Sequence, residues 1–206
     1  MSQEIEAKFV VIHLEAFRGH LLEMGGRLIR DRVLERNWRF DTEDGDLRQM
    51  GKVLRLRRDV NATITYKEGT ADPDVRREIE FEVSDPDQAR AFLEALGYQI
   101  VLIYEKYREV FRYKAVEVAL DQLPFGSYVE LEGPSRKAVK EIAIELGLEW
   151  SERVRRSYAE LFNDWRTHQG TDIRDATFEA LQGFEPVTPA TLGLADAFKA
   201  PDRRKE

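Results

Sequence analysis

The chain opens with "MSQEIEAKFV" (residues 1–10), and the alternation within it decides the fold. Glu4, Glu6 and Lys8 occupy every second position, with Ile5, Ala7 and Phe9 between them. In an extended strand a period of two puts two carboxylates and an ammonium on one face and an apolar stripe on the other. One such strand is ordinary, because half-buried strands commonly keep one solvated face. Its meaning depends on whether the rest of the chain repeats it.

The pattern recurs. "KVLRLRRD" (52–59) alternates Leu54 and Leu56 with Arg55 and Arg57, and "ATITYKEG" (62–69) alternates Ile64 and Tyr66 with Thr63, Thr65 and Lys67. "RREIEFEV" (76–83) sets Ile79, Phe81 and Val83 against Glu78, Glu80 and Glu82, with Arg76 in the same phase. "EKYREVF" carries Lys106 and Arg108, "AVEVALD" carries Glu117 and Asp121, and "YVELEG" carries Glu130 and Glu132. By the same counting "RNWRFDTEDG" adds a strand that ends in a polar turn at Asp44 and Gly45.

Amphipathic helices interrupt these strands. "SDPDQARAFLEALG" has Pro86 in its first turn and stops at Gly97; "GPSRKAVKEIAIELG" repeats the design from Pro134 to Gly147. Residues 12–25 predict a third helix before Gly25-Gly26. Glu82 to Gly97 and Glu132 to Gly147 span the same offset, so a strand-then-helix unit recurs and delivers paired carboxylates in a fixed phase. "SERVRRSYAELFNDW" (151–165) reads as a helix, and a short helical piece is expected near 172–182. The expected division is a domain over 1–162, then a C-terminal helical appendage and flexible tail over 163–206.

Composition limits the chemistry. At 206 residues, 42% hydrophobic and 34% charged, the chain can bury one good core or two small ones. A net charge of −7 argues against general nucleic-acid binding. The absence of Cys excludes disulfides, thiolate metal sites and a cysteine nucleophile. The three His, at 13, 20 and 168, give a His-based metal site or a serine triad little to draw on. No apolar leader or 18-residue apolar run occurs, so a cytoplasmic protein without membrane contact is expected.

The helices cover the apolar faces, which leaves an almost purely ionic opposite face on at least six strands. About eight antiparallel strands can close into a barrel. With the charged face inward, the fold is α+β: an eight-stranded antiparallel closed β-barrel with helices packed outside and a tunnel lined by both signs of charge. Uncompensated charges withdrawn from bulk water cost several kcal/mol each. Carboxylates without competing His or Cys favour Mg²⁺ or Mn²⁺. Clustered Arg and Lys suit phosphate oxygens. A triphosphate–metal complex satisfies both sets.

These motifs together resemble the CYTH domain of the triphosphate tunnel metalloenzyme superfamily over about residues 1–162. The resemblance rests on "EIEAKF", "FDTEDGDLRQMGKVLRLRR", "TYKEG", "RREIEFEV", "EKYRE", "VALDQLPFGSYVELEG" and "SYAELF" in that order. It implies a tunnel enzyme acting on triphosphate-containing small molecules with a divalent metal; oligomeric state, including a homodimer, stays open. By motif it implies metal-side carboxylates at Glu4, Glu6, Glu130 and Glu132, assisted by Glu80, Glu82 and Asp121. Phosphate binding would fall to Lys8, Arg55, Arg57, Lys67, Lys106 and Arg108, with Arg76 in the same phase. Lys8 or Lys106 would serve catalysis as a proton donor. The sequence departs from many relatives at Arg39, which stands where they have a tyrosine before "FDT".

The leading expectation is hydrolysis of a terminal phosphoanhydride. The rivals are a class IV adenylyl cyclase, for which Trp38, Phe40 and Phe125 are the rings available to an adenine, and a non-catalytic polyphosphate or nucleotide sensor.

Overall fold

The computed structural model describes residues 2–71, 75–184 and 188–199, with side chains from residue 5 onward. The alternating segments become eight strands: β1 (Ser2–Val10), β2 (Arg27–Asp41), β3 (Val53–Arg58), β4 (Ala62–Gly69), β5 (Val75–Val83), β6 (Gln99–Tyr113), β7 (Val116–Leu123) and β8 (Gly126–Glu132). They close into an antiparallel barrel in the order β1-β5-β4-β3-β2-β6-β7-β8. Strand β1 holds two neighbours in succession: Ser2–Ile5 pair with β5 and Glu6–Val10 pair with β8. The two 15-residue strands, β2 and β6, form the longest wall.

Among the described residues five α-helices lie outside this barrel: α1 (Leu14–Glu23), α2 (Asp46–Gln49), α3 (Pro86–Ala95), α4 (Arg136–Glu145) and α5 (Tyr158–Gln169). The recurring strand–helix unit has a local cause. Asp85 accepts hydrogen bonds from the Asp87 and Gln88 N–H groups, and Ser135 accepts one from the Ala138 N–H, so each helix starts on a side-chain cap. Each stops at a glycine with positive φ, +91° at Gly97 and +75° at Gly147, a conformation that a β-carbon disfavours.

The apolar faces point outward into three cores. Helices α1 and α4 bury Phe17, Leu21, Ile142 and Leu146 against Phe9, Phe111, Val118 and Leu131 of the barrel. Helix α3 buries Ala89 and Leu93 on Leu54, Leu56 and Ile64. The cover is incomplete: Phe81 on β5 is 54% exposed, because α3 packs on β3 and its neighbours instead. No helix among the described residues is long and apolar enough to cross a membrane.

The C-terminal third differs most from the sequence expectation. The helix read over 151–165 begins only at Tyr158, where Ser157 and Glu160 form a reciprocal capping box. Before it, Val154 bridges to Lys8 as an isolated strand pair. The helical piece expected near 172–182 is not formed. Its backbone pairs with β6 instead: the Ala176 N–H donates to the Ile103 carbonyl at 2.8 Å, and the Glu105 N–H donates to Ala176 at 3.0 Å. Residues beyond 162 share a core with the barrel, since Trp165, Ala176, Leu181 and Leu192 pack with Phe125, Tyr128 and Phe162. The tail read as flexible lies outside the described residues from 200 onward.

Candidate active site

The charged faces meet inside the barrel around a cavity of about 310 Å³. Its lining carries eight cations (Lys8, Arg39, Arg55, Arg57, Lys67, Arg76, Lys106, Arg108) and five carboxylates (Glu6, Glu78, Glu80, Glu130, Glu132). Cross-strand register builds it. Lys8 stands opposite Glu130, Glu6 opposite Glu132, Arg39 opposite Arg55, Thr65 opposite Glu80 and Lys67 opposite Glu78.

The deep layer is closed and internally neutral. Lys106, 2% exposed, lies 3.0 Å from Asp121 and 3.5 Å from Glu35. Arg108 donates from Nε and Nη2 to Asp121 at 2.6 and 2.5 Å and also pairs with Glu130. Lys8 Nζ is 3.2 Å from Glu130 and 4.0 Å above the Tyr158 ring. The Tyr158 hydroxyl donates to Asp121 at 2.8 Å. Three cations thus stand against Glu35, Asp121 and Glu130. Nearer the mouth, Arg55 donates to Thr65 at 3.2 Å, Arg57 to Glu80 at 3.2 Å, and Lys67 lies 3.5 Å from Glu78.

Burial and pairing oppose each other in the protonation of this layer, and pairing wins. Burial pushes the Glu35 carboxyl up, yet Lys106, Arg108, Arg55 and Arg57 together hold it down at about 2. Glu130 is likewise held well below the carboxylate range by Lys8 and Arg108 against its burial. Burial lowers the Lys8 ammonium, but Glu130 and Glu6 outweigh it and leave its pKa raised. Burial and the nearby carboxylates push the Tyr158 phenol far above its usual range, so it stays a hydrogen-bond donor.

A depressed folded-state pKa contributes stability above the unfolded value and loses it as pH falls through the folded one. Stability is therefore expected to fall between pH 4.5 and about 2, with Glu35 alone accounting for roughly 3 kcal/mol. Urea midpoints measured across that range check this; a midpoint that does not move there would show that Glu35 is not paired.

The sequence-derived residues divide by position. Glu6, Lys8, Arg55, Arg57, Lys67, Arg76, Glu80, Lys106, Arg108, Glu130 and Glu132 line one cavity. Asp121, grouped by sequence with the metal-side carboxylates, lies fully buried behind it, with both oxygens taken by Arg108, Lys106 and Tyr158. Glu82 accepts from Asn61 at 3.2 Å and lines a surface depression at the β3–β4 turn instead. Glu4 pairs in register with Arg76, but its side chain is outside the described residues.

Several site residues escaped the sequence reading. Glu35, Asn37 and Arg39 alternate along β2, and the register brings Glu35 opposite Lys106 and Asn37 opposite Tyr104. The period of two in "ERNWRF" was the available signal. Tyr158 comes from α5, outside every strand pattern, so no periodicity could place it beside Lys8.

The donor chemistry fits a hard divalent cation. Glu132 has Glu6 opposite it on β1 and Glu117, which pairs with Arg112, opposite it on β7, so carboxylates of adjacent strands stand side by side. Among the described residues no three His, Cys, Asp or Glu side chains converge on one metal position. Mg²⁺ characteristically binds one or two carboxylates and completes its shell with substrate phosphates and water, which this mouth can provide.

Comparison with known proteins agrees with this architecture. The CYTH domain matches residues 2–158, and the chain belongs to the CYTH domain family. It is 27% identical over 171 residues to a Methanocaldococcus jannaschii protein, covering 77% of this chain and 97% of that one. It is 26% identical over 170 residues to adenylate cyclase CyaB of Aeromonas hydrophila, covering 77% of this chain and 87% of that one. Both relatives carry "adenylate cyclase" in their names, the first as a provisional assignment. Among solved structures, protein PH1819 of Pyrococcus horikoshii OT3 superposes with a TM-score of 0.68 at 27% identity, over 79% of this chain and 99% of that one. A Vibrio parahaemolyticus protein superposes at 0.71 and 25% identity, over 78% and 97%.

Proposed function

We propose that this protein is a divalent-metal-dependent triphosphatase that cleaves the terminal phosphoanhydride of a triphosphate substrate within the tunnel. The observation that carries the reading is the lining itself, eight cations to five carboxylates around one cavity. In this reading Arg55, Arg57, Lys67 and Arg76 hold the outer phosphates, and Arg108 and Lys106 meet the inner end of the chain. Lys8, kept protonated by Glu130 and Glu6, sits where it can neutralise charge on the leaving oxygen or hand it a proton. Asp121 and Tyr158 act as positioning groups that aim Lys106, Arg108 and Lys8. Glu6 and Glu132 would hold the cation, which when bound supplies charge neutralisation on the phosphates and an activated water.

The cyclase reading draws support from the names of the two relatives. Against it, the rings the sequence offered for an adenine pack elsewhere: Trp38 and Phe40 in the core under α3, and Phe125 in the C-terminal core.

The deciding assay offers tripolyphosphate, thiamine triphosphate and ATP with Mg²⁺ or Mn²⁺ and measures phosphate, pyrophosphate and cyclic AMP. Phosphate release is expected, reduced roughly 100-fold in Glu6→Gln and partly restored by more metal. Cyclic AMP with pyrophosphate would establish the cyclase instead. Binding without turnover of any substrate would leave a sensor.

A further inference from the structure

The barrel has a seam where β1 meets β5. Among the described residues four pairs, Ser2–Ile5 with Val75–Glu78, join the two strands. Beyond Ile5, the edge of β1 that faced β5 is taken up by the segment leading into α5, with the Val154 N–H donating to the Lys8 carbonyl at 2.7 Å. Between the start of β5 and this segment lies a second cavity of about 250 Å³. Glu6 and Lys8 face the tunnel, whereas Ile5 and Ala7 face the helix-covered side, and the second cavity touches all four. It therefore passes the edge of β1. Four of its lining residues, Glu6, Lys8, Arg76 and Ser157, also line the tunnel.

The chemistry of this side opening is one-sided. Among the described residues Lys8, Arg76, Arg136, Arg153, Arg155 and Arg156 face it, with Glu6 as the carboxylate; Arg156 is itself paired with Asp164. Arg153 and Arg155 flank the buried Val154, and all three border the opening. Arg136 stands at the first position of α4, whose first turn holds no acidic residue, so the helix dipole adds to the positive field. Trp150 also lines the opening, but Arg153 lies over its ring at 4.6 Å, so the ring is partly occupied by a cation.

We propose that this side opening is a binding subsite for a linear polyphosphate, taking the phosphates beyond the three held in the tunnel. The inference rests on the tunnel being the triphosphate site. The two cavities are of similar volume, so the side opening has room for a comparable run of phosphates. Among the described lining residues its cations outnumber its acids by more than those of the tunnel, which suits a polyanion without a bound cation of its own.

The test compares binding of tripolyphosphate, a medium-length linear polyphosphate and ATP to the wild type and to an Arg136→Glu/Arg155→Glu variant by titration calorimetry. Both substituted residues are exposed and lie outside the tunnel lining, and a thermal melt checks that the variant folds. The wild type is expected to bind the long chain more tightly than tripolyphosphate. The variant is expected to lose about tenfold for the long chain and to keep its tripolyphosphate affinity. Equal affinities in the wild type, or a preference that survives in the variant, would overturn the subsite. Equal weakening for tripolyphosphate would reduce it to a diffuse field effect and overturn it too. If ATP weakens alongside the long chain while tripolyphosphate does not, the opening serves a nucleotide and the polyphosphate assignment fails. No tripolyphosphate binding by the wild type would sink the tunnel reading itself, a different result from any of these.

Discussion

Asp121→Asn is expected to lower the unfolding free energy by about 3–5 kcal/mol, the range for breaking a buried ion pair by removing one partner. Asp121 is fully buried and accepts from Arg108 twice, from Lys106 and from Tyr158. An asparagine of the same shape removes the charge and turns one acceptor into a donor aimed at donors. Of their carboxylate partners Lys106 would keep Glu35, and Arg108 would keep Glu130. Glu94→Gln, which removes a half-exposed pair with Arg90 on α3, should change stability by less than about 0.5 kcal/mol. Urea denaturation of both variants measures the contrast. A loss below about 1 kcal/mol for Asp121→Asn would mean that the deep layer is hydrated and that the network is not what orients Lys106.

That network also marks where the legibility of the sequence ends. The eight strands and their inward charges were legible because a period of two allows only two faces, and the helices could cover only one of them. The period alone therefore assigns Lys8, Arg55 and Glu130 to one surface. Their order around the barrel was not legible: β5 lies between β1 and β4, and β2 lies between β3 and β6. That order makes Glu35 the partner of Lys106, and it puts Asp121 behind the lining although it shares the phase of Glu117. Tyr158 and Arg155 were beyond reach for a different reason. They sit on connecting and helical segments whose approach to β1 depends on one backbone pair, Lys8 with Val154, which no pattern announces. The segment near 172–182 has turn and helix formers, but the open edge beside Ile103 and Glu105 offered its backbone better hydrogen bonds.

Lys8→Met is expected to reduce kcat for triphosphate hydrolysis by roughly 10²–10³-fold, the effect typical of deleting one preorganised group that meets developing charge. Methionine preserves most of the buried stem volume, so the substitution mainly removes the ammonium. The backbone at this position is pinned on both edges, by Glu130 on β8 and by Val154, so the neighbours have little freedom to close the gap. Glu130 would retain Arg108, which limits the stability loss. The kinetic split separates two roles. If Lys8 contacts only the transferring or leaving oxygen as charge builds, kcat falls and KM barely moves; if it merely anchors phosphate in the ground state, KM rises and kcat holds. Lys8→Arg should not restore the rate, because a guanidinium holds its proton too tightly to donate it. The raised pKa of Lys8 gives a further check: wild-type activity should not fall from loss of this proton until pH passes the ordinary lysine value of 10.5. A rate that declined with Lys8 deprotonation near neutral pH would show the ammonium to be unpaired in solution and would remove Glu130 from its positioning role.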